Sequence, residues 1–120
     1  MTEFEEVPEF SNDLKKLYRK HKSIYSDLQT FEKALVVKLP GYLPGTKHIS
    51  NLGKNIEIPI YKVTHFRCAS LKGKGVRSGI RIIYTYIQNK QKIVLIEIYH
   101  KNKQENHNRD RIIKYCENQS

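Results

Sequence analysis

Long hydrophobic runs are missing from this chain. An apolar stretch such as Ile93-Val94-Leu95-Ile96 is far too short to span a bilayer. The first ten residues are acidic and interrupted by Pro8, unlike a secretory signal. The expectation is therefore a soluble, cytoplasmic chain with no membrane partner. Cysteine is scarce: Cys68 and Cys116 lie far apart and belong to no CxxC or Cys/His pattern. Two free thiols are expected rather than a zinc site, which needs four convergent ligands, and neither metal nor cofactor is implied. Acidic residues are few in the second half, where only Glu97, Glu105, Asp110 and Glu117 occur. They do not form the carboxylate cluster that a two-metal nuclease needs. A phosphate-cradling P-loop is also absent, since Gly73-Lys74-Gly75 is only a short glycine/lysine turn.

Positive charge is abundant. The 120 residues have room for one domain and one core, and carry a net charge of +10. Residues 1–60 hold nine Lys/Arg against eight Asp/Glu, whereas residues 61–120 hold thirteen against four. Lys62, Arg67, Lys72, Lys74, Arg77 and Arg81 follow one another with no acidic residue between them. Charge packed into one half implies a polyanionic partner, bound through phosphate neutralisation and counterion release. The competing explanation is a solvated, lysine-rich surface.

The apolar spacing changes partway along the chain. A short strand is expected over 4–7, ended by Pro8. Phe10, Leu14, Leu17 and Tyr18 then follow helical spacing, with Lys15, Lys16, Arg19 and Lys20 largely on other faces. A second helix is expected to open at Ser23 as N-cap, with a stripe of Ile24, Leu28, Phe31 and Leu35. The two form a helical hairpin over 9–37. Pro40-Gly41 and Pro44-Gly45 predict a loop over 40–55. Strands are expected over 56–68, with Pro59 marking an edge or bend, then over 80–87 and 92–99, with a turn at Asn89-Lys90. The run at 93–96 suggests a central strand covered on both faces. A last polar helix over 106–117 has a narrow stripe of Ile112, Ile113 and Cys116. This order predicts an α+β fold: an antiparallel sheet of about four strands with two helices on one face.

Candidate chemistry rests on a few residues. Arg81 stands early in a strand of apolar and aromatic residues, where a guanidinium needs solvent, a carboxylate or a phosphate. A structural ion pair with Glu97 on the next strand is the plain alternative. Tyr99, His100 and Lys101 come where the last strand leaves the core, a good place to present side chains from a rigid sheet. His100 is a candidate acid or base near neutral pH, preferred over His65 and His107. A metal-free RNase would need such a proton carrier, together with cations on the phosphoryl oxygens.

Ser78-Gly79-Ile80-Arg81-Ile82-Ile83-Tyr84 resembles the "(S/G)-G-aromatic-R-hydrophobic-hydrophobic-Y" segment of the RelE/ParE superfamily of bacterial toxins. Tyr61-Lys62-Val63 is similar to that family's "YK-hydrophobic" strand. Tyr99-His100-Lys101 resembles the strand endings of its YoeB and RelE branches. The likeness covers most of the chain. It implies a single RelE-like domain over 1–120, acting as an endoribonuclease that cuts ribosome-bound mRNA without metal and is held inactive by a cognate antitoxin. By that resemblance Arg81 stabilises the scissile phosphate, Lys62 positions or activates the attacking hydroxyl, His100 carries the proton, and Tyr99 and Lys101 flank the substrate. Arg67, Lys72, Lys74, Arg77, Lys101 and Lys103 are the expected RNA contacts. The sequence departs from the family at Thr64, which replaces a second lysine, and in the long basic insertion between Lys62 and Arg81. The last helix also lacks the family's C-terminal tyrosine, unless His107 or Tyr115 substitutes. A ParE-like module that poisons DNA gyrase by binding, or an inert RNA- or antitoxin-binding relic, stands as the alternative.

Overall fold

Helix α1 (Pro8–Tyr18) begins with Pro8 in its first turn, where a missing N–H breaks no helical hydrogen bond. Helix α2 (Ile24–Lys38) follows after a short link. Together they bury Phe10, Leu14, Ile24, Leu28, Phe31 and Leu35, the stripes that helical spacing places on one side. Ser23 occupies the N-cap position, but its hydroxyl does not cap. It donates to the Asp27 carboxylate at 2.6 Å and accepts from the backbone and hydroxyl of Ser70. The side chain therefore ties α2 to the 69–70 turn. The computed structural model describes residues 1–53 and 56–119.

The helices lie on a five-stranded sheet of order β1-β5-β4-β3-β2. Its strands are β1 (Glu3–Glu6), β2 (Thr46–Ile49), β3 (Ile60–Val63), β4 (Ile80–Ile87) and β5 (Lys92–His100). The expectation of about four antiparallel strands is corrected in two ways. First, the sheet is mixed: β1 runs parallel to β5, with Glu3 opposite Lys92 and Glu6 opposite Leu95. A strand buried on both faces needs neighbours on both edges, and β1 supplies the second one. Glu5 seals that pairing with an ion pair to Lys92 at 3.2 Å. Second, β2 lies inside the expected loop over 40–55, antiparallel to β3 with Thr46 opposite Val63. It is an edge strand whose central Lys47 and His48 are exposed, so it lacks an apolar signature. Lys54 and Asn55 of that stretch lie outside the described residues.

The strand expected over 56–68 is only Ile60–Val63. Pro59 cannot donate to the ladder. Beyond Val63 the chain turns away, with the Thr64 backbone N–H and hydroxyl both bound to the Gly45 carbonyl at 3.0 Å. Phe66 and Cys68 are buried in the core beneath the helices rather than in a strand.

Strands β4 and β5 form the sheet centre and match expectation within a residue. Their connection is a 3-10 turn, Gln88–Lys90, closed by Gln91 in the left-handed region. Ile83 opposes Glu97 but Tyr84 opposes Leu95, so Ile96 is an extra, bulged residue. The bulge changes which side chains face which layer. Ile93, Leu95 and Ile98 join the core under α1 and α2. Val94, Ile96 and Tyr99 join a second core with Ile60, Ile83 and Ile112.

That second core is covered by α3 (Arg109–Glu117), which starts later than expected. Residues 106–108 are drawn into contacts with β3 and β5, and the Asn108 side chain caps the helix by accepting from the Arg111 N–H at 3.1 Å. Ile112 and Cys116 are buried and Ile113 only partly. Both cysteines are free. No described helix is long and apolar enough to cross a membrane.

Candidate functional site

Alternation along β4 turns Ile80 and Ile82 toward α1 and α2, and Arg81 and Ile83 toward α3. Arg81 is half-buried and stands opposite Tyr99. Its Nη1 donates to the Thr64 carbonyl at 3.0 Å. The expected alternative, an ion pair with Glu97, is not formed. Ion pairs form instead at Lys92–Glu5 and Arg111–Asp13. Glu97 is 1 % exposed, and its two oxygens accept from the Gln104 side-chain amide and the Asn108 N–H, each at 2.8 Å. The carboxylate organises the turn before α3 and leaves the Arg81 guanidinium otherwise uncommitted.

Lys62 lies on β3 opposite Ile83, and its Nζ donates to Asn106 Oδ1 at 2.7 Å. Burial, with Arg81 and Lys47 nearby, holds its ammonium below the ordinary lysine range, against the pull of Glu97. The His107 N–H donates to the same Asn106 oxygen at 2.9 Å. Burial, then Lys62 and Arg109, lower the His107 imidazole below its ordinary value. Its Nδ1 is buried and has no hydrogen-bond partner among the described residues. Burial pushes the Tyr99 phenol up to about 12; Glu97 adds to this and Arg81 opposes it. Lys62, Arg81, Tyr99 and His107 thus share the α3 side of the sheet, at its β3–β4–β5 centre.

His100 is not brought to them. It follows Tyr99 directly in the strand, so its side chain leaves the opposite face. There it stacks on His21, with ring centroids 5.7 Å apart and planes 10° off parallel. Its Nδ1 accepts from the Asn102 N–H at 3.1 Å. Burial and then His21 lower its pKa, with Arg81 the smallest contributor. Gly79 lies under this ring with φ +85°, and a Cβ there would meet His100 atoms at 3.2 Å. The glycine of the Ser78-Gly79 pair is required for conformation and for space.

The expected RNA contacts divide. Arg67, Lys72, Lys74 and Arg77 are exposed on the segment between β3 and β4. Lys101 and Lys103 are exposed in the turn after β5. Asn106 and Gln104 were not singled out by the sequence for this site, and His107 only as a histidine ranked below His100 and as a substitute for the family's C-terminal tyrosine, because loop residues carry no periodicity that would place them. His107 and Asn106 do precede a helix N-cap, Asn108, and follow the strand end, a position from which they can only fold back over the sheet or leave it.

Among the described residues no three His, Cys, Asp or Glu side chains converge as a metal site would require. Chemically, the α3-side group offers two cations to hold phosphoryl oxygens and an imidazole and an amine of lowered pKa to move a proton. No family model matches the chain, and no curated protein matches it significantly.

Proposed function

We propose that the chain is the toxin of a toxin–antitoxin pair and an endoribonuclease that cleaves mRNA, on the ribosome, without a metal ion. What supports this most is the meeting of Lys62, Arg81, Tyr99 and His107 on one face of a rigid sheet, in a strongly basic chain. The resemblance of the Arg81 and Lys62 segments to RelE-like toxins points the same way. In this scheme the ribose 2′-oxygen attacks the adjacent phosphorus, and the P–O5′ bond breaks to leave a cyclic phosphate and a 5′-hydroxyl. Arg81 offsets the charge that grows on the phosphoryl oxygens. Lys62 or His107, each with its pKa lowered by burial, takes the 2′-hydroxyl proton, and water or the other of the two in its protonated form gives a proton to the leaving 5′-oxygen. His107 fits the proton-carrying role better than His100, whose ring lies on the far face, stacked on His21 and with its Nδ1 engaged. The antitoxin would act by covering this face or displacing α3.

A ParE-like gyrase poison would need no proton carrier beside Arg81. The test is expression in cells with mapping of new RNA 5′ ends, beside a gyrase supercoiling assay on the purified protein. New 5′ ends should appear with the wild type, vanish with Arg81→Ala and weaken by roughly 10²-fold or more with His107→Gln. Inhibited supercoiling without new RNA ends would overturn the proposal.

A further inference from the structure

Strand β1 ends at Glu6, so β5 beyond Leu95 has a free edge. Asp13 of α1 and Arg111 of α3 meet across it. Asp13 accepts from the Ile98 N–H at 3.2 Å, Arg111 donates to the Ile96 carbonyl at 3.1 Å, and the two pair at 2.7 Å. Beside this clasp is a cavity of about 690 Å³, between the end of α1 and the turn after β5. Asp13 is the only acid in its wall, and Arg111 neutralises it. Lys16, Arg19, Lys20 and Lys103 remain, and none of them pairs with an acid among the described residues.

Lys20 and Lys103 are close enough that contact with the Lys103 amine, and its charge, hold the Lys20 ammonium below its ordinary range. Two ammonium groups in contact are mutually repulsive unless an anion lies between them. The stacked His21 and His100 rings stand in the same wall. The only aliphatic lining is Leu17 and Ile98, so an apolar peptide anchor has little to fill. A groove lined by clustered cations is what tracks the backbone of a single-stranded nucleic acid. None of this group faces Arg81, which points to the other side of the sheet.

We infer that this cavity is a second nucleic-acid site, which takes backbone phosphates of a single strand on the α1 side of the molecule. It shares a nucleic-acid ligand with the proposed cleavage, but does not depend on catalysis at Arg81. The shared chemistry is the phosphate group, whose source is either a polynucleotide or a small phosphate.

The experiment measures the affinity of a 2′-O-methyl RNA, which has no nucleophile to be cleaved, as a function of salt. Wild type is compared with Lys16→Gln/Arg19→Gln/Lys20→Gln. All three residues are exposed, and glutamine keeps helix propensity; circular dichroism confirms folding. The triple variant should reduce the slope of log affinity against log salt by roughly 2, at about 0.7 for each phosphate no longer neutralised. An unchanged slope overturns the site. So does pyrophosphate competing with the oligomer at equal concentration, which would mark a small-anion site. Displacement of the RNA by polyglutamate of equal charge would mark an acidic-protein surface, and likewise overturns it. Loss of cleavage in cells together with a slope that still depends on Lys16, Arg19 and Lys20 would remove the proposed function and leave this site standing.

Discussion

Arg81 and Glu97 face the same layer from neighbouring strands, yet opposite charge does not bring them together. Glu97 is saturated by an amide and a backbone N–H, and Arg81 holds one carbonyl. Removing each should therefore have a different consequence. Arg81→Ala loses a single hydrogen bond, worth about 1 kcal/mol, so the melting temperature should fall by only a few degrees. Cleavage should fall by roughly 10²–10³, the usual effect of removing a group that offsets transition-state charge. Glu97→Ala leaves the Asn108 N–H and the Gln104 amide without their acceptor, at about 1–3 kcal/mol for each buried group. It should lower the melting temperature well beyond Arg81→Ala. Thermal melts and cleavage rates on the same purified variants check this. An Arg81→Ala protein as unstable as Glu97→Ala, with wild-type cleavage per folded molecule, would end the catalytic role of Arg81. At this scale some of the site was legible: alternation alone puts Tyr99 and His100 on opposite faces. The side that Glu97 takes was not, since it depends on the bulge at Ile96, and a single extra residue leaves no compositional trace.

Elements with their own periodicity were legible, and elements defined by a neighbour were not. The stripes of α1 and α2 and the β-branched runs of β4 and β5 each announce themselves. β2 is polar and exists because β3 offers it an edge. The parallel pairing of β1 with β5 joins residues about ninety apart in sequence, beyond the reach of any local pattern. Helix α3 was anticipated by its thin stripe, and its burial follows. It buries fully only Ile112 and Cys116, against six side chains from α1 and α2. At about 1.5–3 kcal/mol for a large apolar side chain, hydrophobic docking of α3 is several-fold weaker. Its hold then leans on the Arg111–Asp13 pair, whose side chains are 19 % and 15 % exposed. Amides over 109–117 should exchange hydrogen well before those of β4 and β5. Asp13→Ala should speed that exchange further, because Arg111 loses its partner and the Ile98 N–H its acceptor. Equal protection of α3 and the central strands in the wild type would show that the helix is held by more than these contacts.

The whole molecule spans 41 × 30 × 23 Å, while the Debye length at 0.1 M salt is about 10 Å. Its net charge of +10 therefore does not act on a ligand as one field. Each basic patch must meet its own phosphates to contribute, and the basic loop between β3 and β4 is the patch the sequence marked most clearly. Lys72, Lys74 and Arg77 are exposed there, around the 3-10 turn Gly75–Arg77. Salt should then move two properties in opposite directions. Excess positive charge repels itself in the folded state, so the melting temperature should rise as salt screens it. RNA affinity should fall over the same range, because counterion release is less favourable into a saltier solution. Neutralising Lys72, Lys74 and Arg77 together should reduce the salt slope of 2′-O-methyl RNA binding by roughly 2, at about 0.7 per phosphate. The same change should raise the low-salt melting temperature slightly, since it removes three repelling charges and no ion pair. Combined with the Lys16, Arg19 and Lys20 changes, the two reductions in slope should add, as distant independent sites do. A loop variant with the wild-type slope would show that RNA does not touch this segment, and that its charge serves only to keep the surface solvated.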